Sequence, residues 1–326
     1  MSNVVDVHLN PQLESSHFVQ QLPACLKSVV ESTPRQRGEK LAHEFYLVEA
    51  AEQKRLQDML GRAAVCKPID EPEHPFGISA GMEKGHLNRY KNIFPVSSND
   101  LEAILADVCI QYEHSRCHLQ TYARGASDYI NASHVNFKDN PSKNYIASQG
   151  PLPSTYEDFY QLLDQENVGV VVMLTNLMEG GREKCGKYYL PGQYGRFNVS
   201  CKDGAVHQYP GEDQTASQQS GTSSGFFSTF DLASAQQKTP KAANSPSAAV
   251  CRSTLHIHRP DGTERAVKHI KFAGWPDFDV PPDAEALLDL IAEVNQAKGD
   301  IARANRTEEG PVLVHCSAGV GRTGSE

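Results

Sequence analysis

The residues with the clearest chemical potential follow an apolar run near the end of the sequence. Pro311–Val314 reads as a buried strand and leads into HCSAGVGRTG, which places Cys316 six residues before Arg322. The small residues between them let consecutive backbone N–H groups turn toward one centre, a geometry that binds oxyanions. The Arg322 guanidinium adds a planar two-point contact for a phosphate. Such positive surroundings favour the thiolate form of Cys316, and a thiolate facing a phosphate is a nucleophile.

An isolated glycine-rich turn has a plainer interpretation, in which Cys316 is inert and Arg322 pairs with a surface carboxylate. Most intracellular cysteines are small buried packing residues. The eight cysteines are Cys25, Cys66, Cys109, Cys117, Cys185, Cys201, Cys251 and Cys316. They form no CxxC pair and match no histidine cluster, so the pattern disfavours zinc. A chain of this length also needs no disulfide framework, which favours a reducing, intracellular compartment.

Composition limits the class of protein. The chain has 326 residues, of which 39% are hydrophobic and 22% charged, so we expect a folded protein with one large domain or two small ones. Its formal charge of -9 makes nucleic acid a poor partner. The longest apolar stretch, Val168–Leu174, is far shorter than the roughly 18 residues of a membrane span. The first ten residues do not resemble a secretion signal, so no membrane association is expected.

The elements that must position these residues follow from apolar spacing. Residues 1–85 read as a helical lead-in, in which Leu41, Phe45 and Val48 recur at helical spacing and are expected to pack. Residues 86–326 hold the candidate site. Short strands are predicted at Asp128–Ser133, Asn144–Gly150, Val168–Leu174, Ser253–His258 and Ala266–Phe272. Strands and helices in alternation predict an α/β (α+β) fold, with a twisted mixed central sheet flanked by helices.

Three local features refine this prediction. An amphipathic helix is expected over Ser154–Gln165, with Ser154 as its cap and Glu157 three residues later. Pro260, Asp261 and Gly262 mark a hairpin turn between the two later strands. Residues 203–249, rich in Ser, Gln, Thr, Ala and Gly, read as a disordered insertion.

The string HCSAGVGRTG is the signature of the protein tyrosine phosphatases, and the chain resembles that family in several further blocks. In chain order these blocks are Asn88–Asn92, His114–Arg116, Asp128–Ser133, Tyr145–Pro153, Val171–Leu174 with Glu179 and Lys184-Cys185, and Trp275-Pro276-Asp277-Phe278. The resemblance covers about residues 88–326 without the insertion. It implies the classical, non-receptor phosphatase fold, with the signature loop at a strand-to-helix turn.

The resemblance also implies a role for each matching residue. Cys316 would be the nucleophile, and Asp277 would protonate the leaving tyrosine oxygen. Tyr90 would line a deep slot that excludes phosphoserine, and Asn92 would bind the substrate backbone. The phosphate would lie against Ser317, Ala318, Gly319, Val320, Gly321 and Arg322. Glu179 would brace Arg322, Thr323 would bond the departing thiolate, and His315 would bond backbone groups or tune Cys316. Lys184, Trp275, Pro276 and Phe278 would support the site.

Three features depart from the family pattern. Asn92 stands where the family usually has Asp, which bears on peptide affinity. Gly180 and Gly181 predict a more flexible loop after Glu179. The sequence ends four residues after Arg322, where the family has a longer helix and a later water-positioning loop. A C-terminally truncated domain is the expectation from this last feature.

Three functions stay open at this point. The first is a phosphatase that hydrolyses phosphotyrosine in proteins through a phosphocysteine, without a metal or cofactor. The second is an inactive or substrate-trapping fragment that binds phosphotyrosine. The third is a lipid or dual-specificity phosphatase, against which Tyr90 and the uncharged Ser317–Val320 loop argue. Fungal phosphatases that act on mitogen-activated protein kinases carry comparable insertions. That resemblance implies phosphotyrosine-containing partners, including such kinases, and a cytoplasmic or also nuclear location.

Overall fold

The structure is a computed structural model that describes residues 5–9, 24–63, 84–90, 115–120, 127–137, 144–201, 250–276, 281, 284–308 and 310–325. The five helices of these ranges are α1 (Ala24–Val30), α2 (Pro34–Ala63), α3 (Tyr156–Gln165), α4 (Ala284–Asn305) and α5 (Gly321–Ser325). Single 3-10 turns lie at Gly85–Leu87 and Pro153–Thr155. Among these helices, none is both long enough and apolar enough to cross a bilayer.

Eleven strands are described. They are β1 (Arg116–His118), β2 (Tyr129–Asn136), β3 (Asn144–Ser148), β4 (Val170–Met173), β5 (Met178–Glu179), β6 (Arg182–Glu183), β7 (Gly192–Tyr194), β8 (Phe197–Cys201), β9 (Val250–His258), β10 (Glu264–Phe272) and β11 (Val312–His315). Nine of them form one sheet in the order β1-β2-β3-β11-β4-β10-β9-β8-β7, and β5 and β6 form a separate hairpin.

The large sheet is mixed, as the sequence predicts. Its centre is parallel, because β11 pairs with β3 and β4 and β10 pairs with β4 in the same direction. The outer pairs are antiparallel. The predicted α/β (α+β) class with a mixed central sheet flanked by helices is confirmed.

Helices cover both faces of the central strands. In β4, Val171 and Met173 point to the face that carries α3, while Val170 and Val172 point to the face that carries α4. Burial on both faces explains why Val168–Leu174 is apolar without alternation. The strand β11 lies between β3 and β4 in this core, so the residues that follow it start from a rigid position.

The start of α3 differs from the prediction. Pro153–Thr155 forms a 3-10 turn, and the α-helix begins at Tyr156 with Thr155 at its N-cap position and no side-chain capping bond. Ser154 is exposed and is not the cap. The Thr155 hydroxyl instead accepts a hydrogen bond from the Leu152 N–H at 3.1 Å. The proline turn thus moves the N-cap position by one residue, from Ser154 to Thr155.

The apolar residues of α2 also differ from the prediction. Leu41 is 43% exposed and Phe45 67% exposed, so the expected packing of these side chains is wrong within the described residues. The beginning of α2 is anchored differently. The buried Arg37 guanidinium donates to the Val30 carbonyl at 2.6 Å and 3.1 Å. Apolar spacing specified the helix but not a partner for its face.

The later hairpin is confirmed with longer strands than expected. β9 and β10 pair over nine residues each, from Glu264 opposite His258 to Phe272 opposite Val250. At the turn, Gly262 has a φ of 83° and the Asp261 carboxylate accepts the Thr263 N–H at 2.9 Å. The predicted insertion at 203–249 lies outside the described residues.

Candidate active site

The loop that contains Cys316 connects β11 to α5. It begins at the C-terminal end of β11, which lies between β3 and β4 in the sheet. Cys316 is buried, and its Sγ accepts a hydrogen bond from the Gly319 N–H at 3.3 Å. The first turn of α5 closes through Gly324 N–H and the Val320 carbonyl at 2.8 Å. A backbone N–H therefore points at the sulfur, and the helix N-terminus adds its dipole to the same region.

Gly319 is needed here for two reasons. Its φ is 81°, a region that side chains rarely adopt. A Cβ at this position would also lie 2.5 Å from the Ser148 carbonyl. The loop thus packs against the end of β3 more closely than any other residue type permits.

Arg322 is held by a two-point ion pair. Its two terminal nitrogens donate to the two carboxylate oxygens of Glu179 at 2.8 Å and 3.0 Å. One of them also donates to the Trp275 carbonyl at 3.0 Å. The Glu179 carboxylate is itself oriented by the Asn176 N–H at 3.0 Å and the Thr175 hydroxyl at 3.2 Å. Both partners are largely buried, so the fork of Arg322 has a fixed direction.

Glu179 lies on a tight hairpin. β5 and β6 pair through Met178 with Glu183 and Glu179 with Arg182. The two residues between them, Gly180 and Gly181, have φ values of 56° and 72°. Two positive φ values are what a two-residue type I′ turn requires, and glycine adopts them without strain. These glycines thus build the turn that holds Glu179, and the greater flexibility of this loop stays a prediction.

Tyr90 is connected to the Cys316 loop by side-chain hydrogen bonds. The Tyr90 hydroxyl lies 2.9 Å from the Ser317 Oγ. The Ser317 hydroxyl in turn donates to the Lys184 carbonyl at 2.8 Å. Since the single Ser317 proton is used for Lys184, Tyr90 is the donor to Ser317. Tyr90, the Cys316 loop and the segment after β6 are thus joined in one chain, to which Lys184 contributes its backbone carbonyl.

Arg89 also holds Tyr90 in place, and sequence reasoning missed this residue. Its guanidinium is buried and donates to the carbonyls of Gly150 and Pro151 at 3.0 Å and 2.9 Å. Its N–H donates to the Gln149 side chain at 2.8 Å. Arg89 and Gln149 lie inside two of the sequence blocks that resemble the family, Asn88–Asn92 and Tyr145–Pro153. Their position in those blocks was the signal that could have identified them as site residues.

Asn88 completes this support from the other side. Its side-chain oxygen accepts from the Tyr129 hydroxyl at 2.7 Å and from the Asn131 amide at 2.9 Å. All three side chains are buried. The backbone on both sides of Arg89 is therefore fixed to β2 and to the segment after β3.

His315 is buried directly before the nucleophile. Its Nδ1 lies 3.0 Å from the Cys316 carbonyl, and its Nε2 lies 2.6 Å from the Tyr188 hydroxyl. Burial lowers the pKa of His315 to about 4, so the ring is neutral at pH 7. The Tyr188 hydroxyl also contacts the His269 Nε2 at 2.9 Å. Sequence reasoning missed both Tyr188 and His269.

The remaining predicted residues have mixed placements. Thr323 is buried, and its hydroxyl has no hydrogen-bond partner among the described residues. Trp275 is buried with its ring edge-on to Phe272, and Pro276 follows it. Ala318, Val320 and Gly321 complete the loop around Cys316, with Ala318 and Val320 half-buried and Gly321 exposed. Asn92, Asp277 and Phe278 lie outside the described residues.

Solved structures share this fold. The crystal structure of the catalytic domain of human protein tyrosine phosphatase non-receptor type 18 matches with a TM-score of 0.58 and 24% identity, over 88% of this chain and 77% of that one. A structure of the same phosphatase with HER2 phosphopeptides matches with a TM-score of 0.57, over 87% of this chain and 78% of that one.

Curated relatives show the same likeness in sequence. Human tyrosine-protein phosphatase non-receptor type 7 is 36% identical over 197 residues, which are 60% of this chain and 42% of that protein. The rat protein of that name is 34% identical over 74% of this chain and 50% of its own length. Human receptor-type tyrosine-protein phosphatase zeta is 34% identical over 78% of this chain and 9% of its own length. The chain thus spans half or less of these relatives. The protein-tyrosine phosphatase family model matches residues 105–325, and the chain belongs to that family.

Proposed function

We propose that this chain hydrolyses phosphotyrosine in proteins through a phosphocysteine intermediate. The observation that carries this proposal is the two-point pair between Arg322 and Glu179, because it fixes the direction of the guanidinium at the end of the loop that contains Cys316. A guanidinium without such a brace would lose the orientation that a phosphate requires.

In the first step, the Cys316 sulfur attacks phosphorus, and the bond from phosphorus to the tyrosine oxygen breaks. The oxygens of the phosphoryl group bind the loop N–H groups and Arg322, which stabilise the charge that they carry in the transition state. Asp277 gives its proton to the leaving oxygen, so tyrosine departs as a neutral phenol. The Trp275 carbonyl accepts a hydrogen bond from Arg322, and Asp277 follows two residues later in the sequence, which supports its assignment as the acid.

In the second step, water attacks phosphorus and the bond from sulfur to phosphorus breaks. The water proton passes to the Asp277 carboxylate, and inorganic phosphate is released. The departing sulfur needs a donor. Thr323 is buried beside the loop with an unbonded hydroxyl, so we assign it this role.

Tyr90 supplies selectivity in this proposal. Its hydroxyl is bonded to Ser317, so its ring stands at a fixed distance from the loop. A substrate side chain must pass this ring to bring its phosphate to Cys316. Phosphotyrosine is long enough and stacks favourably, whereas phosphoserine is shorter and has no ring.

Proteins that contain phosphotyrosine are the proposed substrates. The structures of the non-receptor type 18 phosphatase with HER2 phosphopeptides support this substrate class by analogy. The polar insertion at 203–249 resembles that of fungal phosphatases, so we propose phosphorylated mitogen-activated protein kinases as the first proteins to test. A cytoplasmic location, with entry into the nucleus, is proposed on the same resemblance and on the non-receptor relatives.

The test is phosphate release from a phosphotyrosine peptide and from the matching phosphoserine peptide. We expect steady turnover of the first only, and loss of that turnover in Cys316→Ser. The matched control is Cys251→Ser, a half-buried cysteine on β9, which should retain activity. Tight peptide binding without turnover would replace the proposal with a phosphotyrosine trap, and equal release from both peptides would contradict the role of Tyr90.

A further inference from the structure

A pocket lies at the end of the central strands that is opposite to Cys316. Its lining includes Asn167 and Gly169 before β4, Lys298 and Asn305 on α4, and Glu308 and Gly310 before β11. The strands β4 and β11 are parallel and both start at this pocket, whereas Cys316 follows the end of β11. The open space is about 240 Å³, part of it continuous with solvent, so the pocket suits a small ion rather than a larger organic ligand.

The walls of this pocket are held by hydrogen bonds between distant segments. The Asn305 side chain accepts the Ala266 N–H and donates to the Ala266 carbonyl, both at 2.8 Å. The Asn167 side-chain amide donates to the Glu308 carbonyl at 3.0 Å. These bonds join α4 to β10, and the segment before β11 to the segment before β4. The pocket is therefore a fixed feature of the fold.

Arg265 on β10 also lines the pocket, and one of its donors is unsatisfied. The residue is 5% exposed. Its terminal nitrogens donate to the carbonyls of Leu163, Asp164 and Val168 at 3.1 Å, 3.3 Å and 2.8 Å. The Nε of Arg265 has no hydrogen-bond partner among the described residues. Because a buried donor without a partner is costly, this N–H indicates an acceptor from outside the chain.

The positive charge of Arg265 is only partly balanced. The Asp164 carboxylate lies 3.8 Å from Arg265 and 2.7 Å from Arg259, so two guanidinium groups share one carboxylate. Burial lowers the pKa of Arg265, Asp164 opposes this shift, and Arg259 adds to it. Lys298 brings a further positive charge to the pocket, and Glu308 is the one carboxylate among the described residues that line it.

An anion fits these two observations better than water does. A water molecule could accept a hydrogen bond from the Arg265 Nε, but it would leave the excess of positive charge unbalanced. An oxyanion supplies an acceptor and a negative charge together. We propose that this pocket binds a small free oxyanion of the phosphate and sulfate class, held by the Nε–H of Arg265 with Lys298 as the second cation. The inference does not rest on the proposed function, because the pocket shares no residue with the Cys316 loop.

Hydrogen–deuterium exchange followed by mass spectrometry locates the ion without requiring turnover. The probe is sodium sulfate at millimolar concentration, compared with sodium chloride of equal ionic strength, because higher sulfate concentrations stabilise proteins non-specifically. We expect sulfate to slow exchange in peptides from the end of α4 and the start of β4, with a saturable dependence that gives Kd. Protection confined to the loop from Cys316 to Arg322 would overturn the inference, and so would the absence of protection.

A substitution on α4 tests the lining cation. Lys298→Met should weaken sulfate binding at the pocket about tenfold, the effect of one hydrogen bond to a charged group. The matched control is Arg303→Met, which removes an exposed cation of the same helix that pairs with Asp300 outside the pocket, and it should keep the wild-type Kd. Equal Kd values in wild type and Lys298→Met would contradict the site, as would equal losses in Lys298→Met and Arg303→Met.

Two further measurements test the donor and the form of the ligand. Arg265→Lys keeps a cation at this position but loses the guanidinium N–H, so it should also weaken sulfate binding. If Arg265→Lys does not fold, the two α4 variants decide. Phosphoserine in place of sulfate distinguishes a free ion from a phosphate group on a larger molecule, and protection by phosphoserine without protection by sulfate would refute a site for the free ion.

Discussion

Arg322 and Glu179 lie 143 residues apart in the sequence and meet through two parallel hydrogen bonds of 2.8 Å and 3.0 Å. The side chain of Arg322 is 5% exposed and that of Glu179 13% exposed. Such a pair costs desolvation, and its value for overall stability is small. Its consequence is geometric: the remaining donors of Arg322 have a fixed direction.

Removal of the charge on Glu179 tests this relationship. In Glu179→Gln we expect kcat/KM for a phosphotyrosine peptide to fall roughly tenfold to a hundredfold, because the Arg322 fork loses its two-point partner. The control is Glu293→Gln, which breaks another two-point pair with Arg252 on β9 and α4. Wild-type kinetics in both variants, measured at saturating and low substrate, would show that the brace is not required.

Tyr90 and Ser317 give a second prediction. Tyr90→Phe keeps the ring and loses one hydrogen bond, so KM should rise about threefold with little change in kcat. Tyr90→Ala should remove the preference for phosphotyrosine over phosphoserine. The ratio of kcat/KM for the two peptides is the measurement, and an unchanged ratio in Tyr90→Ala would assign the selectivity to other residues.

Gly319 gives a prediction about stability. Gly319→Ala should lower the free energy of unfolding by about 1–3 kcal/mol because of the positive φ, with a further cost from the contact with Ser148. Urea unfolding is the measurement. In Gly85→Ala, where an added Cβ meets no atom within 4 Å, the change should stay within about 0.5 kcal/mol. Equal effects of the two substitutions would contradict the close approach of the loop to β3.

The buried histidines predict acid sensitivity. Burial lowers the pKa of His315 to about 4 in the folded protein, while a histidine in the unfolded chain has its ordinary pKa of about 6.5. The unfolded state therefore binds more protons between these values, so stability is retained above about pH 6.5 and lost as the pH falls toward 4. His315 alone should account for about 3 kcal/mol of this loss, and His269 adds to it.

Urea unfolding between pH 7 and pH 4 checks this prediction. His315→Gln should show a weaker pH dependence than wild type. His43→Gln, which changes an exposed residue of α2, should show the wild-type dependence. An identical slope in wild type and His315→Gln would mean that His315 does not remain neutral in the fold.

Much of the site could be predicted because its parts are local in sequence. The loop from Cys316 to Arg322 is one continuous segment, and the strand before it is apolar up to His315. The mixed sheet follows from short strands such as Val168–Leu174, whose burial on both faces leaves a visible pattern. Residues inside such segments need no knowledge of distant partners.

The rest depends on contacts between distant segments. Tyr188 and His269 have no local pattern that separates them from ordinary core residues, and the hydrogen bonds that join them to His315 are visible only when β10 and β11 are placed in one sheet. Ser154 was a reasonable cap by composition, but the turn at Pro153 moved the start of α3. Leu41 and Phe45 have helical spacing, and spacing cannot say which surface they contact.

The most direct test of the central claim is capture of the intermediate. Protein is mixed with a phosphotyrosine peptide, quenched rapidly, and digested, and mass spectrometry identifies the residue that carries the phosphoryl group. The account predicts a phosphoryl group on Cys316 that appears with the first turnover, is absent in Cys316→Ser, and persists longer in Asp277→Asn, where no carboxylate accepts the water proton. Turnover without a phosphoryl group on Cys316 in any variant would contradict it.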